Sequence, residues 1–195
     1  LEPFRPTEAD IQALIGTVIA DERPLRDFSN MEVDDVYRGA IPFAALCCAG
    51  VQSIPLIEQA LARPLSTEAR RKLARALALM GAPAAVDVLL NELAVELAGD
   101  QLPPIHGEIR HTHRLAPDQA AMPEAAYLLY ALGMARSEHS LPIWQRVVDL
   151  LAQASLDDVF ATSSGVFAYV DAVCSGAERL ASPAAIPLLE KLQLT

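Results

Sequence analysis

The chain has 195 residues, 25 acidic against 15 basic, for a formal net charge of −10; it is 52% hydrophobic and only 5% aromatic. That length suits one compact domain or one quasi-linear array of small repeats, and the apolar share excludes a disordered chain. So acidic a balance argues against a protein whose main task is gripping phosphate backbones.

The first element is announced at Thr7. Thr7-Glu-Ala-Asp10 resembles a capping box, with Asp where Glu or Gln is usual, and opens a helix expected to run to about Ala20. Asp21 to Asp35 follows as a charged connector, so residues 1–40 read as an N-terminal capping helix and its linker. The stretch from Ala40 to Ile57 carries no charge, but Pro42, Gly50, Gln52, Ser53 and Pro55 interrupt it. A membrane helix needs about 20 continuous apolar residues, so none is expected. No basic segment precedes an apolar core at the amino end, hence no signal peptide is visible. Leu1 in place of a start methionine fits a processed product or a piece of something larger. Three cysteines, with Cys47 and Cys48 vicinal, make no disulfide framework; they read as small apolar side chains kept reduced in a cytoplasmic setting.

Abundant Ala and Leu with few aromatics favour helices over strands, and the helical pattern repeats. Residues 44–61, 76–93, 131–148 and 173–192 align as the end of one helix, a short turn and a second helix. Pro55, Asp87, Pro142 and Pro187 stand at the equivalent place near the start of each second helix. Gly50, Gly81 and Gly176 sit where a helix could close through a left-handed residue. Ser53 and Ser182 are expected N-caps. In one first helix Ala69, Leu73, Ala76, Leu77 and Met80 share a face, with Glu68, Arg70, Arg71, Lys72 and Arg75 expected on a solvated side. Its partner repeats Val86, Leu89, Leu90, Leu93 and Leu97 at helical spacing. The helix of residues 123–134 is apolar nearly all round, as a unit covered on both sides should be, and Tyr127 and Tyr130 read as packing residues. Antiparallel helix pairs of this kind bury their apolar faces only by stacking on neighbours. The expectation is an all-α fold, an α-α superhelix over residues 41–195.

The spacing breaks in two places. Pro55 to Asp87 is 32 positions, but Asp87 to Pro142 is 55 and Pro142 to Pro187 is 45. An insertion therefore falls at about 99–121, and a longer connection at about 155–164. The insertion holds His106, Glu108, His111 and His113, imidazoles beside a carboxylate that could form a shell for zinc or a similar ion. Against this, Pro103, Pro104 and Gly107 make the segment an exposed polar loop, and Arg110 and Arg114 would repel a cation.

Ala74, Ala76, Leu77, Gly81, Ala85, Val86, Leu89, Leu90 and Leu93 together resemble the short HEAT-like repeats of the phycobilisome-lyase type, and the likeness extends more loosely over residues 41–192. It implies an α-solenoid and says little about chemistry, because enzymes, adaptors and scaffolds share this repeat. Residues 123–192 are also similar to helical tails of some large bacterial FAD-dependent oxidoreductases. That likeness implies a module following a flavin domain, yet no Gly-x-Gly-x-x-Gly occurs here to hold a dinucleotide.

No nucleophile elbow, Walker loop, Cys-x-x-Cys or His-Glu-x-x-His is present in the sequence. The leading functional expectation is therefore a non-enzymatic interaction or scaffold module of a larger bacterial protein, cytoplasmic, without a cofactor. Its partner, a protein or an adjacent domain, would meet the face of the second helices and the insertion, through Gln59, Asn91, Glu92, Arg110, His111, His113, Gln145 and Arg146. A metal-dependent lyase or hydrolase using His106, Glu108, His111 and His113 is the alternative. A nucleic-acid reader using the Arg70 to Arg75 helix is the third, and the acidic balance and the missing interleaved aromatics weigh against it.

Overall fold

The computed structural model describes residues 5–22, 41–103, 123–154 and 166–193. Among the described residues there is no strand, and the chain is all-α. The helices are α1 (Glu8–Ala20), α2 (Ile41–Cys48), α3 (Ile54–Leu61), α4 (Thr67–Leu79) and α5 (Ala84–Glu96). They continue as α6 (Glu124–Met134), α7 (Leu141–Leu151), α8 (Val166–Leu180) and α9 (Ile186–Gln193). Two compact units, residues 1–88 and 89–195, divide the chain within α5.

The turns inside the described helix pairs share a left-handed residue. A residue of positive φ closes the first helix at Gly50, Gly81, Arg136 and Ala181 (φ 70°, 72°, 52° and 49°). Three of these turns then pass through 3-10 segments, Gly50–Ser53, Glu138–Ser140 and Pro183–Ala185, before the second helix starts. The residue just before the second helix is small and buried at Ser53, Ser140 and Ala185, and Ala85 in the first turn of α5 is buried likewise.

Two expectations about these turns require correction. Ser53 occupies the N-cap position of α3 but makes no capping bond. The 3-10 segment runs straight into the helix, so the Ser53 hydroxyl instead lies 2.6 Å from the Gly50 carbonyl oxygen and 3.3 Å from the Met80 sulfur. Ser182 does cap, accepting from the Ala184 amide, but it caps the 3-10 turn rather than the helix after it. Ser137 plays the same part in the preceding pair. Gly176 is not a helix terminator either; it lies inside α8, and Ala181 takes the left-handed position.

In the first unit α1 packs on α2, α3 and α4, and first helix meets first helix where α2 packs on α4. The capping box forms: the Thr7 hydroxyl accepts from the Asp10 amide, and the Thr7 amide donates to the Asp10 carboxylate at 2.8 Å. The Thr7 hydroxyl and amide hold the Asp10 carboxyl below its ordinary value. A carboxylate with a depressed folded pKa adds stability above its unfolded value of about 3.9 and loses it as pH falls through the folded value. Thermal melts should therefore show Asp10→Ala less stable than the wild type at neutral pH, with the two curves merging in strong acid.

The basic residues of α4 do not form a solvated face, which corrects the expectation from sequence. Arg71 and Lys72 are 7% and 2% exposed, and α4 is buried on most sides, Ala69, Leu73, Ala74, Ala76, Leu77 and Ala78 included. Asp21, the C-cap of α1, supplies the reason. The Lys72 ammonium donates to the Asp21 backbone carbonyl and lies 3.2 Å from its carboxylate. A cation at the carbonyl end of α1 also meets the negative end of that helix.

In the second unit the pairs stack in parallel. The first helices α6 and α8 pack together, and so do the second helices α7 and α9. Polar bonds across this stack keep a nearly constant offset in sequence: Tyr130 to Asp171 is 41 residues, Asp149 to Lys191 is 42, and Glu138 to Ser182 is 44. That offset is close to the 45 residues between Pro142 and Pro187, as expected where one unit is displaced onto the next. At the contact, Trp144 is buried over Gly176. The indole N–H donates to the Ser140 hydroxyl at 2.8 Å, and that hydroxyl donates to the Ser137 carbonyl at 2.5 Å. Tyr169, fully buried in α8, donates to the Pro103 carbonyl at 2.8 Å. The Tyr169 bond fixes the chain where it leaves α5 toward the insertion.

Candidate functional site

The residues expected to meet a partner fall into three groups. Gln145 and Arg146, on α7, are committed within the unit. The Gln145 amide donates to Asp149 at 2.7 Å, and Lys191 binds the same carboxylate. Lys191 first and Gln145 second hold the Asp149 carboxyl below its ordinary range. The Arg146 guanidinium donates to the Gly99 carbonyl at 2.6 Å, just past the end of α5, where it offsets the helix dipole. Glu92 is half-buried and partnered. Gln59 and Asn91 are exposed. Arg110, His111 and His113, with His106 and Glu108, lie outside the described residues. Among the described residues, no group of three His, Cys, Asp or Glu side chains could hold a metal ion.

Gln59 borders a hollow of about 220 Å³ between α1 and α3. Ile15 and Ala60 form its buried floor, Ile19 and Leu56 its half-buried walls, and Gln12, Gln59 and Arg63 its exposed polar lip. Gly16 lies at the opening, where an added Cβ would meet nothing within 4 Å. Gln12 donates to Glu8 one turn away at 3.1 Å. Neither Gln59 nor Arg63 has a hydrogen-bond or ion-pair partner among the described residues through its side chain, and no carboxylate lines the hollow. Sequence reasoning found Gln59 and missed Gln12, Gly16 and Arg63. Gly16 carried a signal, because a glycine inside an otherwise regular helix costs about 1 kcal/mol relative to alanine.

Other reactive side chains are quiet. Burial, reinforced by the neighbouring Cys48, pushes the Cys47 thiol up to about 12. Cys48 and Cys174 are exposed. In alkylation by iodoacetamide at mildly alkaline pH, Cys48 and Cys174 should be modified while Cys47 stays unmodified until denaturant is added. Fragment-ion mass spectrometry reads this directly, and equal labelling of Cys47 in the folded chain would refute it. The Tyr130 hydroxyl donates to Asp171, and burial followed by that carboxylate raises its pKa. Such a phenol is a structural clasp between α6 and α8, not a general base near neutrality.

No helix among the described residues is by itself long and apolar enough to cross a membrane, and the apolar stretch from Ile41 to Leu61 is bent by 106°. Comparisons with family models, with curated proteins and with solved structures give no match for this chain.

Proposed function

We propose that the chain is a protein-interaction or scaffold module built of HEAT-like helix pairs, and that its partner meets the second-helix side. The observation that carries this reading is the α1–α3 hollow. Its Gln59 and Arg63 side chains have no bonding partner among the described residues, while Gln145, Arg146, Asp149 and Lys191 on other second helices bond to one another or to backbone. Exposed polar groups that the described fold does not engage, set beside an apolar floor, are suited to an incoming chain. The similarity of residues 123–192 to oxidoreductase tails favours a domain of a larger bacterial protein, and the three unpaired thiols fit a reducing cytoplasm.

Photo-cross-linking in cells tests the face. A benzophenone amino acid in place of Gln59 should give a defined adduct with a partner protein, and the same residue in place of Glu178, exposed on a first helix, should not. Adducts from position 178 and none from position 59 would remove the second-helix assignment.

A further inference from the structure

We infer that the α1–α3 hollow seats the last residue of a partner protein, an apolar side chain whose own α-carboxylate is held by Arg63 and Gln59. The inference rests on the interaction reading above and names what that site recognises. Volume sets the first limit. Sites for cofactors and drug-sized ligands run from about 300 to 1,000 Å³, and this hollow of about 220 Å³ is smaller, suited to one side chain. Its floor of Ile15 and Ala60 and its walls of Ile19 and Leu56 call for an apolar one.

Charge sets the second limit. On a chain of net charge −10, the described residues that line the hollow include a guanidinium and no carboxylate. Arg63 offers a forked set of donors that matches a carboxylate, and Gln59 can add an amide donor. Ala60 and Arg63 are three residues apart where α3 ends, so the apolar floor and the cation adjoin. A chain terminus places an apolar side chain and a carboxylate on one residue, which an internal Asp or Glu does not. Capture of a terminal carboxylate is a recurring recognition mode. Glu8, which holds the Gln12 amide at the far lip, would repel an anion there and so orients the carboxylate toward Arg63. Gly16 fits the same reading. Alanine would be sterically free and more helical at this position, so the glycine gives up stability and keeps the opening clear.

Fluorescence anisotropy with the full chain tests this, using a labelled pentapeptide that ends in leucine with a free carboxylate. Saturable binding is expected, weakened about tenfold or more when the terminus is amidated, and to a similar extent by Arg63→Gln. Gly16→Phe should abolish binding with the circular dichroism unchanged, whereas Gly16→Ala should raise the melting temperature. Equal affinity for acid and amide, or indifference to Arg63→Gln, would overturn the inference. Competition by free 4-methylpentanoate at the peptide's own affinity would also overturn it, by assigning the hollow to a small carboxylate. Adducts from position 59 with no preference for a free terminus would leave the interaction module standing and remove only this recognition mode.

Discussion

Gly176→Ala is expected to destabilise the protein, although in an open helix the same change stabilises by about 1 kcal/mol. The new Cβ would lie 2.6 and 2.7 Å from two carbons of the Trp144 ring and 3.1 Å from a third. The indole cannot easily yield, since it is 2% exposed and tied through its N–H to Ser140. Overpacking of this kind costs about 1–3 kcal/mol, enough to reverse the helical gain. Gly176→Leu should lose about 3 kcal/mol or more by the same mechanism. Urea denaturation gives the sign, and a double-mutant cycle gives the cause. In a Trp144→Leu background the overlap is gone, so Gly176→Ala should become neutral or stabilising there. An unchanged penalty in that background would show that something other than the indole sets it.

The second large effect is expected at Lys72. Removing one partner of a buried ion pair costs about 3–5 kcal/mol, because the remaining charge is left desolvated and unpaired. Lys72→Ala would take from the Asp21 carboxylate, whose side chain is 12% exposed, one of its partners, and would also release the carbonyl that Lys72 binds at the end of α1, so a loss toward the lower end of that range is expected. Lys72→Met keeps most of the stem packing and should recover part of the loss without the pairing. If Lys72→Ala costs less than about 1 kcal/mol in urea melts, the pair behaves as a surface contact and its placement is wrong.

The all-α class, the α1 capping box and the repeated turn were legible in the sequence because each is written in local chemistry. Thr7 and Asp10 lie three apart; Gly50 and Gly81 mark left-handed positions; Pro55, Pro142 and Pro187 mark helix starts. Arg136 and Ala181 escaped notice because a side chain seldom takes positive φ, and only the turn they share with the glycines explains them. Gly176 was misread for a related reason. A glycine that ends a helix and a glycine that admits an indole look alike until the neighbouring pair is in place. Lys72 was placed in solvent because helical periodicity cannot report a carboxylate 51 residues away. The candidate site was half legible. Gln59 stood out as a polar residue on a second helix, whereas Arg63 and Gly16 acquire meaning only when α1 lies against α3.

The seating of Trp144 over Gly176 also fixes how far one hairpin can slide along the next. Moving α8 by a single turn would bring Ala172 or Leu180 beneath the indole, each with a side chain where the present contact tolerates none. The same slip would part Tyr130 from Asp171. Steric refusal and lost bonds would thus arrive together, so the alignment of these two hairpins has one admissible setting and no graded series of near misses.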